Sequence, residues 1–408
     1  MEKRPGAGAQ GVEDLKGQAL SPAQAVHHLA EPSVTLLGST TTGGLWIRGG
    51  LYARTRVQPN RDLRHSRPHS ARCWCNCAVD SQLADLTSII DRADARLRAG
   101  SAGARVWPTG FPMLDTVLGG GFRSGGLALL AGPQGLGKTT FALQVTRNLV
   151  AAGRPVVYFS YEHEPEDLMQ RLIALEAAEL FGHGSPGQDK IRAAFEDHRI
   201  SSSVEDRLAH LPGAMDALNA VRGYSGLLHL HRSSGATTTL QEIKDAVALT
   251  TQSTGQVPFV VVDYLQKVKV SGGLAEDDRT SVIVEGLKDY AMDVELPVLA
   301  VVASIQTGGE GNKRVRIGHL RGSSSLGYEA DVVLILNNKY DIVARHHLVY
   351  DVGNAERFRQ WVVLSVEKNR SGKGGIDLEF RKRLDQCRFE VDGNMVAEQL
   401  VDERVFTE

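Results

Sequence analysis

The sequence predicts an α/β domain with a mainly parallel sheet. From about residue 108 onward, short β-branched runs alternate with longer helical patterns. Several runs are apolar throughout rather than alternating, as strands covered on both faces should be. A complete phosphate-loop motif, Gly132-Pro-Gln-Gly135-Leu-Gly137-Lys138-Thr139, sits between one such run and a helical pattern.

Taken in chain order, residues 1–80 are rich in Gly, Ser, Thr, Arg and His and hold no period for long. They are expected to form a disordered or weakly structured extension. Cys73, Cys75 and Cys77, with His65 and His69 nearby, invite a soft-metal reading. Their C-x-C-x-C spacing differs from the C-x₂₋₄-C of a tetrahedral zinc site, so an incidental cluster is expected. Order begins near Asp80. Leu83, Leu86, Ile89, Ile90, Ala93 and Leu97 recur at spacings of three and four, one apolar face of a helix. Asp80 or Ser81 would cap it and Gly100 would close it. A Gly/Ser/Ala tether completes the segment 81–105. An amphipathic helix on a flexible tether cannot bury its face alone, so it should pack on its own domain or on a neighbouring subunit.

The α/β domain then spans 106–395, with a tail at 396–408. Strands are expected at 127–131, 155–160, 227–230, 259–263, 298–303, 332–336 and 361–366. Helices are expected between them, among them 139–152, with Phe141, Val145 and Leu149 on one side, and 239–251. There is no internal repeat, which argues against two tandem domains.

Composition narrows the class. The chain is 42% hydrophobic and 23% charged, ample for a sizeable core. Its four cysteines do not make a disulfide framework, which points to a reducing, cytoplasmic setting. The early Lys and Arg precede no apolar run, so no secretory signal is expected, and no stretch approaches the ~18 apolar residues of a membrane span. The formal net charge is −2, so any grip on a polyanion must come from a local basic surface.

The phosphate loop carries its chemistry in its residue types. Gly132, Gly135 and Gly137 let backbone N–H groups curl around phosphate, and the helix N-terminus adds favourable dipole charge. Lys138 would reach the β- and γ-phosphates of ATP, with Thr139 as a Mg²⁺ ligand and Thr140 beside it. The apolar run ending in Asp263 supplies a second carboxylate for the Mg²⁺ shell, through water. The run ending at Ser160 is followed by Glu162, the candidate base. Glu164 and Glu166 read as solvated acids opening the next helix. The Gly-rich stretch from Gly308 carries Lys313, Arg314, Arg316 and Arg321, the candidate contacts to single-stranded DNA phosphates. Without an aromatic platform, such a grip would have little sequence specificity.

These motifs together resemble the motor domain of DnaB-type hexameric DNA helicases, over about residues 82 to 392. PTGFPMLDTVLGGGF is similar to the family's entry segment, and FSYEHEPEDLMQRLIA to its second motif, whose first Glu matches Glu162. Asp263-Tyr264-Leu265-Gln266 resembles its magnesium motif, and TSVIVEGLKDYAMDVELPVLAVVAS the helix and strand after it. His319-Leu320-Arg321-Gly322-Ser323-Ser324-Ser325-Leu326 with Glu329-Ala330-Asp331 resembles the DNA-loop motif. Glu367-Lys368-Asn369-Arg370-Ser371-Gly372 resembles the motif whose Lys and Arg enter the next subunit's ATP site.

The resemblance implies a RecA-type fold, ATP and Mg²⁺ as cofactors, a homo-hexamer, single-stranded DNA as partner and 5′–3′ helicase activity in DNA replication. It implies that strand 155–160 lies beside the phosphate-loop strand, so that Glu162 faces the γ-phosphate. It also implies that Lys368 and Arg370 act in trans, that Arg321 leads the DNA contacts and that the amphipathic helix docks on a neighbour. Three departures accompany it. Residues 1–80 do not resemble the family's N-terminal helical domain, which contacts primase. The usual Ser-Gln phosphate sensor becomes Ser304-Ile305-Gln306, which leaves Gln306 as the sensor displaced by one. Gly322 stands where an acid is common. Two alternatives remain open, a RadA-like recombination ATPase and a KaiC-like regulatory ATPase.

Overall fold

Strand β1, Leu127–Ala131, is buried at every residue. Ala128 and Leu130 enter one core, and Leu127, Leu129 and Ala131 the other. Such a strand must pair its backbone on both sides. In the computed structural model of the chain, which describes residues 83–100, 105–197, 202–304, 313–322, 324–349 and 352–402, β1 lies inside a ten-stranded sheet. Strands β2 (Val156–Ser160), β3 (Leu228–Arg232), β4 (Phe259–Asp263), β5 (Val298–Val301) and β6 (Val332–Asn338) share its direction, in the order β6-β1-β5-β4-β2-β3. Strand β7 (Trp361–Asn369) pairs antiparallel with β6, and β8 (Ile376–Arg383) antiparallel with β7. All seven expected strands are present, within a few residues.

Two features differ from the sequence reading. The strand that leads to Glu162, β2, does not lie beside β1, whose neighbours are β5 and β6. It pairs instead with β3 and β4. Strands β1, β2 and β4 are each buried at every residue, so composition carries no neighbour preference among them, and the crossover helices decide the order. The second difference is β8, which the sequence reading missed. Its residues, IDLEFRKR, include five charges, and most of its side chains are only half-buried.

Helices cover both faces. Helix α1 is Leu86–Arg98, discussed below. Helix α2 (Lys138–Ala151) seats Phe141, Val145 and Leu149 in the first core, as their spacing predicts. Helix α3 (Pro165–Phe181) joins α4 (Gln188–Glu196) and α5 (Ala214–Tyr224) around a third, smaller core of Ile173, Ala177, Ile191 and Leu218. The opposite face is closed by α6 (Leu240–Thr254), with Ile243 and Val247, and by α7 (Glu276–Val294), with Ile283, Val284 and Leu287.

The α1 cap is Asp85, whose carboxylate accepts from Ser88 N at 2.9 Å and Ser88 Oγ at 2.7 Å. Asp80 and Ser81 lie outside the described residues, as do residues 1–80 with their cysteine cluster and Gln306. Gly100 closes the helix at φ +68°. No residue of α1 is buried, and Leu86, Ile89, Ile90 and Leu97 stay exposed. Among the described residues, no three His, Cys, Asp or Glu side chains group as for a metal, and no helix is long and apolar enough to cross a membrane.

One ion pair locks α2 to α3. Arg147 donates to both oxygens of Glu176 at 2.7 and 2.6 Å, and Glu176 is buried. Removing one partner strands the other charge. R147M should lower unfolding free energy by about 3 kcal/mol and should reduce the melting temperature in a thermal denaturation; an unchanged melt would deny the pair that role.

Candidate functional site

The parallel strands all point their C-terminal ends at one edge, where an α/β sheet presents its ligand crevice. A cleft of about 1240 Å³ opens there, lined by Gly132, Lys138, Glu162, Gln266, Lys313 and Arg321 among others. Three of the predicted groups, the phosphate-loop lysine, the candidate base and the leading DNA contact, therefore share one cavity.

The loop geometry explains its glycines. Gly132 follows β1 at φ +146°, and a Cβ there would come within 2.4 Å of Leu336 O. Gly137 precedes α2 at φ +87°, and a Cβ there would come within 2.7 Å of Leu384. No side chain caps α2, so its first-turn N–H groups are left for an anion. Gly135 lies in the same loop, with Thr139 and Thr140 in the first turn of the helix. Lys138 is only 5% exposed, and its ammonium donates to Gly132 O and Pro133 O, each at 2.9 Å. Burial pulls its pKa down, while the charges of Asp263 and Glu162 push it up.

Asp263 ends β4 and is 1% exposed. The Tyr158 hydroxyl on β2 donates to its Oδ2 at 2.8 Å. Its Oδ1 is buried and accepts no hydrogen bond of ordinary geometry. Burial pushes the carboxyl up to about 6, against the opposing pull of Tyr158 and of the Thr139 hydroxyl beside it. A buried, half-satisfied carboxylate beside a hydroxyl is a donor set suited to a hard divalent cation.

Glu162 arrives by an indirect route. Ser160 pairs with Asp263 across β2 and β4, and Tyr161 N donates to Asp263 O at 2.8 Å, so the chain after β2 passes beside the magnesium motif. Its carboxylate accepts from Lys267 Nζ at 3.1 Å. Glu164 pairs with Arg232 at 2.7 Å, and Glu164 and Glu166 are both exposed. Ser304 Oγ donates to Gly132 O at 3.1 Å, which ties the end of β5 to the phosphate loop.

The basic residues separate into three groups. Lys313 and Arg321 line the cleft. Arg321 is paired with Glu276 at 2.9 Å but keeps more than half of its side chain in solvent. Arg314 corrects the sequence reading, because it is 3% exposed and its guanidinium bonds Ser365 and Asp377 beneath the surface. Arg316 is bonded to Glu367 at 2.8 Å and Asp402 at 2.7 Å, so its charge is matched by two carboxylates. Basic composition alone could not distinguish these roles. Lys368 and Arg370 lie at the opposite edge, because β7 runs antiparallel to β6. Arg370 N bonds Asp331 O, and Asp331 N bonds Leu127 O, at the start of β1. The five residues of β1 put roughly 16 Å between that level and the phosphate loop. Both cations rest on carbonyls closing α8 (Ser325–Glu329): Lys368 on Gly327 and Tyr328 at 2.9 Å, Arg370 on Tyr328 at 2.6 Å.

Sequence reasoning also missed Tyr158 and Lys267. Tyr158 sits in an otherwise apolar strand, where its hydroxyl was the sole signal.

The sequence model of the DnaB-like helicase C terminal domain family matches residues 107–390. The replicative DNA helicase DnaB of Haemophilus influenzae is 29% identical over 233 residues, 56% of this chain and 45% of that protein. That of Pasteurella multocida is 27% identical over 315 residues, 75% and 59%. The chain thus spans about half the length of these relatives. Among solved structures, one isolated ATPase domain superposes with a TM-score of 0.58 at 20% identity, covering 75% of this chain and 98% of that one. A DnaB-like replicative helicase, solved in a study of its interactions with primase, gives 0.56 at 20% identity, with 75% and 67% covered. At that identity the likeness establishes the fold, a RecA-type α/β domain.

The Asp263 carboxyl yields a pH prediction. In the folded chain it holds its proton up to about pH 6, whereas unfolded it ionises near its ordinary 3.8. The ligand-free protein therefore loses stability from this group as pH rises from about 4 to 6. D263N removes the ionisation. Its ligand-free melting temperature should exceed wild type at pH 8, by an amount equivalent to about 2–3 kcal/mol, and the gap should close near pH 4. Equal melts at pH 8 would contradict a carboxyl raised by burial.

Proposed function

Because the chain belongs to the family of DnaB-like helicase C-terminal domains, we propose that residues 106–395 form an ATP-hydrolysing motor that acts as a ring on single-stranded DNA and separates duplex strands. The observation that carries this reading is the single cleft shared by Lys138, Glu162 and Arg321. A nucleotide site and a polyanion contact in one cavity are what coupling hydrolysis to translocation requires. The recombination and regulatory readings are not favoured beside the family match. The reading assigns the chain to the cytoplasm and leaves a helicase loader or primase unassigned.

The chemistry follows from the residues. Backbone N–H groups of the loop and Lys138 hold the β- and γ-phosphates of ATP. Thr139 and Asp263 would hold Mg²⁺, which supplies charge neutralisation at the phosphates. Glu162, exposed to the cleft, orients water and takes its proton as the γ-phosphoryl group leaves. Gln306, close in sequence to Ser304, serves as the phosphate sensor. Arg321 and Lys313 grip DNA phosphates. Arg316 joins them only if its carboxylate partners release it, and Arg314 is excluded by burial. Within one chain, Lys368 and Arg370 stand at the edge of the sheet remote from the phosphate loop, so their proposed role is in a neighbour's site. A finger of this kind contributes about 10³-fold or more to turnover. Exposed α1, docking on a neighbouring subunit, would hold such a ring together.

Two experiments test this. In the first, K138A abolishes ATP turnover, E162Q retains ATP binding but loses turnover by at least ~100-fold, and R321A weakens binding to oligo-dT while retaining ATP affinity. The salt dependence of DNA binding should flatten by about one unit of slope in R321A. E162Q at the wild-type rate would refute the base, and DNA affinity indifferent to both salt and R321A would refute the DNA contact. The second concerns assembly. Sedimentation with Mg²⁺, ATP and oligo-dT should show a ring, and R370A should assemble yet turn over ATP at least ~10³-fold more slowly. A monomer with full ATPase activity would overturn the role in trans.

A further inference from the structure

The segment that follows Asp263 and Tyr264 is a single 3-10 turn, Leu265–Lys267. Leu265 is fully buried in the core beneath α7, so the turn is anchored at one end. Its other two side chains reach in different directions. Gln266 Nε2 donates to the carbonyl of Arg321 at 2.8 Å, and Gln266 Oε1 accepts from Ala303 N at 3.2 Å. Lys267 Nζ bonds the Glu162 carboxylate at 3.1 Å. Adjacent residues of one turn therefore hold the backbone of the leading DNA contact and the side chain of the candidate base.

This arrangement has a chemical consequence for Glu162. A carboxylate donated to by an ammonium is directed toward that ammonium and not toward a water on the γ-phosphate side. The pair is half-exposed, so a modest competing force separates it. Arg321 can supply that force. Its guanidinium is held by Glu276 at 2.9 Å, a partner that a DNA phosphate can replace. Drawing Arg321 toward DNA pulls on the carbonyl that Gln266 holds, and so on the turn that carries Lys267.

We infer that Lys267 is a positioning residue that restrains Glu162 until Arg321 engages single-stranded DNA, with Gln266 as the mechanical link. The inference deepens the function proposed above and rests on its assignment of Glu162 as base and Arg321 as DNA contact.

The test is steady-state ATP hydrolysis by the full chain with Mg²⁺, with and without oligo-dT. Without DNA, K267M should raise kcat at least threefold and leave KM for ATP unchanged, a split that general loosening of the fold would not produce. K267R, which keeps the cation, should restore the restraint. The double variant E162Q/K267M should remain as slow as E162Q, because the release acts through Glu162. With saturating oligo-dT, K267M and wild type should converge. A K267M kcat that is unchanged or lower without DNA, while E162Q is inactive, overturns the inference and leaves the base assignment standing. E162Q turnover at the wild-type rate overturns the base assignment itself, and the inference with it.

Discussion

A cation and a carboxylate, Lys138 and Asp263, are both buried at the C-terminal edge of one sheet, and the arrangement of the site depends on that. Isolated charges are costly to remove from water. Lys138 is satisfied for the present by two backbone carbonyls of its own loop, and Asp263 by one tyrosine hydroxyl on one of its oxygens. Both are thus held short of full compensation in the ligand-free chain. In the function proposed above, a triphosphate and its metal would complete that compensation. The sheet makes this tenable because β1 and β4 are enclosed on both faces and cannot relax to let water in.

The same sheet separates two chemistries by strand direction. Five of the six parallel strands, all but β3, deliver their loops to the cleft, and the reversal at β7 sends Lys368 and Arg370 to the far edge. There Asp331 gathers the local charges. Its carboxylate accepts from Leu127 N and Lys288 Nζ, at 2.8 and 2.7 Å, and lies 3.3 Å from Arg370. A residue first noted as part of a DNA-loop motif is, in this position, a brace between the start of β1, α7 and the basic pair. Both cations rest on carbonyls at the end of a helix, where positive charge is favoured.

The basic segment shows how far charge counting can be carried. Four cations follow one another closely in the sequence, yet burial, double pairing and exposure divide them. Arg314 and the Asn337 amide, which bonds both backbone groups of Val315, fasten the segment to the sheet. Arg321 is held mainly through its backbone, by Gln266 and by Ala303, and this leaves its side chain exchangeable. A contact that grips and releases a polymer needs a loosely paired head group of this kind.

Much of this was legible without coordinates. The phosphate loop was readable because its glycines, lysine and threonine are each required by local backbone geometry at fixed spacing. The strands that flank it were readable because burial on both faces demands continuous apolar runs. The face of α2 was readable from its 3.6-residue period. Local rules do not reach across the chain, and there the sequence was silent or misleading. The adjacency of β2 and β1 that the resemblance implied went uncorrected, because apolar strands carry no label for their neighbours. It overlooked β8, whose charged residues pair with partners distant in sequence. It credited Arg314 with a surface role, since the carboxylate of Asp377 that neutralises it lies on another strand. Chain-local chemistry determined which residues form the loop and its flanking strands, and the packing of the sheet decided which of the remaining charges are buried, doubly paired or largely in solvent.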